Sequence, residues 1–175
     1  MELNEEISIT NHNPIWKQWY LNESKIIQEV FTADLMEIQH IGSTAIPEIH
    51  AKPIVDLLVG LKTYHVSEEQ NEQLVKLGYE GFGEAGVPGR LYYRKRSTES
   101  FNLAVCEWNS EVWSNNLIFR DYLISHPEEA AAYSLLKQDI LSQGIHTLLG
   151  YSERKAAFIL EMILKATQWK EEKKI

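Results

Sequence analysis

The 175 residues are 44% hydrophobic and 24% charged, ordinary usage for one compact domain long enough to bury a sizeable core. A formal net charge of -8 argues against a general nucleic-acid binder, which needs a basic face to neutralise phosphates, while leaving room for a local basic patch that binds one small anion. No apolar run reaches the roughly 18 residues of a membrane span, the opening Met1–Glu6 is acidic rather than signal-like, and the lone Cys106 fits a reducing compartment; the expected location is cytoplasmic.

Asn13-Pro14 reads as a helix start, after which Ile15, Trp16, Trp19, Tyr20, Ile26, Ile27, Val30 and Phe31 recur at helical spacing. Leu35–Ile41 reads as a strand that Gly42-Ser43 turns out of, and Pro53–Leu61 as a buried strand interrupted by Asp56. Ser67-Glu68-Glu69-Gln70 is a capping box, and Gly78 stops the helix it opens. Strands follow near Tyr79–Phe82, Arg90–Arg96 and Phe101–Glu107. From Asn109 the pattern is helical: His126-Pro127 restarts a helix, Gly144 ends it, and Ser152 is the expected cap of the last. The closing Lys170–Lys174 run reads as a solvated end. The order predicts a single α+β domain over residues 1–175, a mixed β-sheet with flanking helices and a helical C-terminal third.

The informative stretch is His40-Ile41-Gly42-Ser43-Thr44-Ala45-Ile46-Pro47 followed by Ala51-Lys52-Pro53-Ile54-Val55-Asp56. A strand, a Gly-Ser turn and an acid on the next apolar strand resembles the nucleotidyltransferase superfamily. Gly42 would let backbone amides approach a phosphate, Ser43 would add a hydroxyl donor, and Asp56 could hold magnesium against the same phosphates. A plain turn beside one hydrogen-bonded acid uses the same residues, so the spacing alone leaves both readings open. Period two places Ile54, Asp56 and Leu58 on one strand face, and Arg90, Tyr92, Arg94 and Arg96 on another. Arg90 and Arg94 offer guanidinium forks for an anion and Tyr92 a ring for stacking on a base; the alternative is a solvated, exposed strand face, to which Arg96 is assigned. Lys52 either neutralises phosphate or caps its strand. Tyr133 and Lys137 share a helix face, with Lys137 facing either ligand or surface. Arg120 and Asp121 are adjacent and point apart, one to the cleft and one to a brace. Cys106 reads as a buried inert thiol, Trp108 and Trp113 as packing for the helical layer, and His12, His50, His65, His126 and His146 lack metal spacing.

Wider text carries a sharper resemblance. Glu37–Pro47, Ala51–Asp56, Gly83–Arg90 and Phe119-Arg120-Asp121-Tyr122-Leu123, with Tyr133, Leu136, Lys137, Lys155, Phe158 and Ile159, resemble the GrpB family from about residue 7 to residue 165. The resemblance implies a nucleotidyltransferase-like fold that binds a nucleotide or another phosphorylated small molecule. It would assign Asp56, His40 and Lys137 to catalysis and Asp56 to a nucleotide-dependent magnesium. Gly42, Ser43, Lys52, Arg90, Tyr92, Arg94 and Arg120 would bind the ligand. Four positions depart from one pattern or the other, Leu58 from that of active transferases only, since GrpB relatives also tend to be apolar there. Leu58 stands where active transferases place a second carboxylate, and Asn102 and Ala104 where relatives often carry His-x-His. Glu48 stands where they commonly carry glycine. The departures keep two expectations alive: nucleotidyl or phosphoryl transfer, and a non-catalytic ligand-sensing or partner-binding domain with a degenerate metal site.

Overall fold

The computed structural model describes residues 4–173; the first three residues of the acidic start and Lys174 of the closing run lie outside it. Among the described residues five α-helices and five strands follow the expected order: α1 Ile15–Phe31, β1 Leu35–Ile41, β2 Ile54–Leu61, α2 Glu68–Lys76, β3 Glu80–Gly81, β4 Arg90–Lys95, β5 Ser100–Glu107, α3 Glu111–Ser125, α4 Pro127–Ser142 and α5 Leu148–Glu172. The sheet order is β1-β2-β5-β4-β3, with β2 and β5 parallel and every other pair antiparallel. The architecture is therefore α+β, a mixed sheet with flanking helices and a helical C-terminal third.

Strand alternation separates two cores. Val55, Leu57, Val59 and Leu61 of β2 and Phe101, Leu103 and Val105 of β5 face α1 and α2, where Trp16, Ile27, Phe31 and Leu74 close over them. Each such side chain, fully buried, contributes about 1.5–3 kcal/mol. Ile15 and Ile26, expected on that apolar face, are instead exposed. On the other face Leu58, Ala104, Cys106 and Ile41 pack beneath Trp113 of α3. Beyond the reach of α3, that same face is left to polar residues, and there the cavity forms. Trp108, expected in the helical layer, is half exposed and donates to Glu37 instead.

Caps follow the residues. Asn13 Oδ1 accepts from the Ile15 amide at 3.1 Å, and Ser67 and Gln70 complete their reciprocal box. The last helix corrects the sequence reading, since it starts at Leu148 rather than after Ser152. Its first-turn amides are capped from afar: Leu148 N donates to Glu5 O at 2.8 Å and Leu149 N to Asn4 Oδ1 at 3.1 Å.

Glu48 stands at φ 64, the left-handed region that favours glycine. Glu48→Gly is expected to raise the unfolding midpoint by about 2–4 °C, the equivalent of about 1 kcal/mol of relieved backbone strain. A thermal melt checks it.

Candidate functional site

Antiparallel register puts Ile41 opposite Asp56, and parallel register puts Asp56 beside Asn102, which lies opposite Arg94 on β4. One row of the sheet thus carries acid, amide and guanidinium on a single face. Over this row lies a cavity of about 400 Å³, walled by the Gly42-Ser43-Thr44 turn, by β2 and β4, by the loop before β4, and by the start of α5. Seven of the predicted ligand or catalytic residues line it together: Gly42, Ser43, Lys52, Asp56, Arg90, Tyr92 and Arg94.

Gly42 has a physical reason. At φ 70, a Cβ built there would lie 2.4 Å from Asp56 Oδ2, so only glycine lets turn and carboxylate meet. Asp56 Oδ1 accepts from Asn102 Nδ2 at 2.7 Å. Asn102 is oriented in turn, because its Oδ1 accepts from Arg96 at 2.9 Å and Glu5 holds Arg96 with bonds of 3.0 and 2.7 Å. Burial would raise the Glu5 carboxyl, but the hydrogen bond and charge of Arg96 prevail and hold it below its usual range. Desolvation instead pushes Asp56 up, against the pull of Lys52, Asn102 and Lys155.

Lysines dominate the electrostatics. Desolvation lowers Lys52 to about 8, with Lys155 adding repulsion, and lowers Lys155 itself to about 8. Lys137, buried behind the turn, is lowered to about 7 by desolvation and then by Lys155 and Lys52. Its Nζ donates to Ser43 Oγ at 3.0 Å and to His50 O, so it braces the turn from below. Among the described residues lining the cavity Asp56 is the only acid, against Lys52, Lys155, Arg90 and Arg94. The site carries an excess of positive charge out of bulk water, a setting that favours an anionic ligand.

Several expectations are corrected. Arg94, placed on an exposed face, is 1% exposed: its guanidinium lies over the rings of Phe82 at 4.9 Å and Tyr92 at 5.3 Å. Arg90 covers the Tyr92 ring too, at 4.8 Å, so guanidinium groups already sit on the ring expected to stack on a base. Arg90 donates to the carbonyls of Glu84 and Ala85, while its buried Nε has no hydrogen-bond partner among the described residues. Arg96, assigned to plain surface, is half-buried in the Glu5–Asn102 chain.

His40 and Arg120 do not join the cavity. His40 pairs with Leu57 in the register and so points to the face opposite Asp56. There it stacks on Tyr20 at 4.9 Å and bonds Thr44 Oγ1 at 2.9 Å, and desolvation keeps it neutral, lowered to about 4. Arg120 clamps β1 through Gln39 Oε1 at 2.6 Å and His40 O at 2.9 Å; it also pairs with Asp121 at 2.8 Å, despite their adjacency. Leu58 is buried under α3 rather than on the cavity wall. Cys106 is buried as expected, its thiol pushed by desolvation to about 11.

Lys155, which the sequence offers only within the family resemblance, also lines the cavity. A signal existed: Tyr133 and Lys137 recur as Tyr151 and Lys155, the same spacing of four. In both pairs the ammonium lies over its own ring, at 4.5 Å and 4.4 Å.

The family model described as GrpB protein matches residues 6–165. "UPF0157 protein YqkA" of Bacillus subtilis (strain 168) is 31% identical over 166 residues, 94% of this chain and 48% of its own length. "Glutamate-rich protein GrpB" of Alkalihalophilus pseudofirmus is 29% identical over 164 residues, covering 90% of this chain and 94% of that one. The chain thus spans about half of the Bacillus relative and nearly all of the Alkalihalophilus one. The crystal structure of the conserved protein GrpB from Enterococcus faecalis is similar with a TM-score of 0.80 at 28% identity, over 92% of this chain and 98% of that one.

Proposed function

Because the chain belongs to the GrpB family and rings one carboxylate with lysine and arginine, we propose that its cavity binds a phosphorylated small molecule. A nucleotide or a coenzyme A precursor is the expected class, on a nucleotidyltransferase-like scaffold. The observation that carries this reading is the charge imbalance of the wall: Lys52, Lys155 and Arg90 against the single Asp56, with Arg94 buried beneath and balanced by Glu5. Gly42 and Ser43 receive a phosphate at a turn whose backbone approaches closely, and Lys137 braces that turn by donating to the Ser43 hydroxyl. Lys52 and Lys155 supply point charge, and Arg90 adds a guanidinium on the cavity wall.

A second reading, a domain that binds without transferring, is favoured by one specific arrangement. Asp56 is engaged by Asn102, and the residue two further along β2 lies under α3, so a second acid has no place on the wall. Binding is common to both readings and is tested first. A thermal-shift screen against nucleotides and coenzyme A precursors is expected to yield at least one stabilising ligand. At a hundred times its dissociation constant such a ligand adds about 2.7 kcal/mol. Silence across phosphorylated compounds, with response to uncharged ones, would refute the anion reading.

A further inference from the structure

Magnesium takes near-octahedral oxygen ligation and is usually held by one or two carboxylates with phosphates and water. The donor set here fits it poorly. Among the described residues no group of three His, Cys, Asp or Glu side chains could hold a metal. Asp56 Oδ1 already receives the Asn102 amide at 2.7 Å. That amide cannot turn round to offer its oxygen, because Arg96 donates to Asn102 Oδ1 at 2.9 Å and Glu5 holds Arg96 in place. Oδ2 lies against the Gly42 backbone. The cavity that the turn walls is meanwhile lined by two lysines, Lys52 and Lys155, and by Arg90.

We propose that in this chain lysine stands in for the metal: the ammonium groups of Lys52 and Lys155 carry the charge a divalent ion would bring, and the cavity takes a diphosphate or triphosphate group free of magnesium. The inference rests on the anion reading above and sharpens it. Two ammonium groups equal one divalent ion in charge and present six N–H donors where an ion presents empty coordination sites. Magnesium complexed to the ligand lowers the ligand's negative charge and sets a cation among cations. The uncomplexed polyanion is therefore the preferred species.

Calorimetric titration with inorganic pyrophosphate decides it, in EDTA and in excess magnesium, on the parent and on Lys155→Met and Lys52→Met, which keep the apolar stems. Binding is expected in EDTA and is weakened severalfold by magnesium. Each lysine substitution is expected to cost roughly tenfold to a hundredfold in affinity, the scale of a charge-assisted hydrogen bond. Circular dichroism verifies that the variants fold; should one fail to, the two arms of the parent still decide. Binding only in magnesium, abolished by Asp56→Asn, overturns the lysine proposal and leaves the anion reading standing. No binding of pyrophosphate in either arm overturns both.

Discussion

Gly42→Ala is expected to lower stability by about 2–4 kcal/mol and to abolish ligand binding. Two costs combine. A Cβ at φ 70 strains the backbone, and it would lie 2.4 Å from Asp56 Oδ2 and 3.0 Å from Asp56 Cγ, where atoms cannot coexist. Asp56 has little room to retreat, since Asn102 holds its other oxygen and Glu5 and Arg96 hold Asn102. The costs are separable. In an Asp56→Ala background the same Gly42→Ala change should cost only the backbone share, about 1–2 kcal/mol. Chemical denaturation of the four proteins measures the coupling. Equal costs in the two backgrounds would show that turn and carboxylate do not touch.

Arg94→Ala is the second large effect, expected at about 3 kcal/mol. The guanidinium is fully covered, lies over two aromatic rings, and donates through Nε to the Tyr92 hydroxyl at 3.2 Å. Truncation strips packing from Phe82 and Tyr92 and removes a charge 3.9 Å from Glu5. Arg94→Lys should recover part of the loss, since a lysine keeps the stem and charge but not the plane that covers a ring. Unfolding midpoints in urea give both numbers. A stability change below about 0.5 kcal/mol would mean an exposed surface residue and contradict the buried placement.

How much of this was legible in the sequence depends on range. Local chemistry read through well: Ser67 with Gln70, and Gly42 beside an acid on the next strand, follow from neighbours in the chain. Strand period correctly set Asp56 and Leu58 on the face opposite Val55 and Leu57. What period could not give is register. Only the antiparallel alignment that sets Ile41 against Asp56 turns His40 to the far face, and no local pattern encodes that. Period likewise groups Arg90 and Arg94 without telling which end of the face is roofed, so it does not reveal that the Arg94 guanidinium is buried. The start of α5 escapes local pattern for the same reason, because its caps come from Glu5 and Asn4, over a hundred residues away in the chain. Lys155 reaches the cavity only once that helix begins where it does.

On the proposed reading the lysines of the cavity receive the anion, and proton linkage tests this directly. Lys52 and Lys155 fall from 10.5 to about 8 on folding, so near pH 8–9 a good share of each is neutral. A folded pKa below the unfolded one means that the unfolded chain binds more protons in this window. The contribution of these lysines to stability therefore grows as pH rises from about 8 towards 10.5. An anion reverses the shift by favouring the charged form, so binding must take up protons and weaken as pH climbs through 8. Calorimetric titration at pH 8.5 in two buffers of different ionisation enthalpy reads that uptake as the slope of heat against ionisation enthalpy. Net uptake of between one and two protons, with binding roughly tenfold to a hundredfold weaker per pH unit above 8 because both lysines must be charged, is the expected result. Binding with no proton exchange and a flat pH profile would place the anion elsewhere and contradict the account.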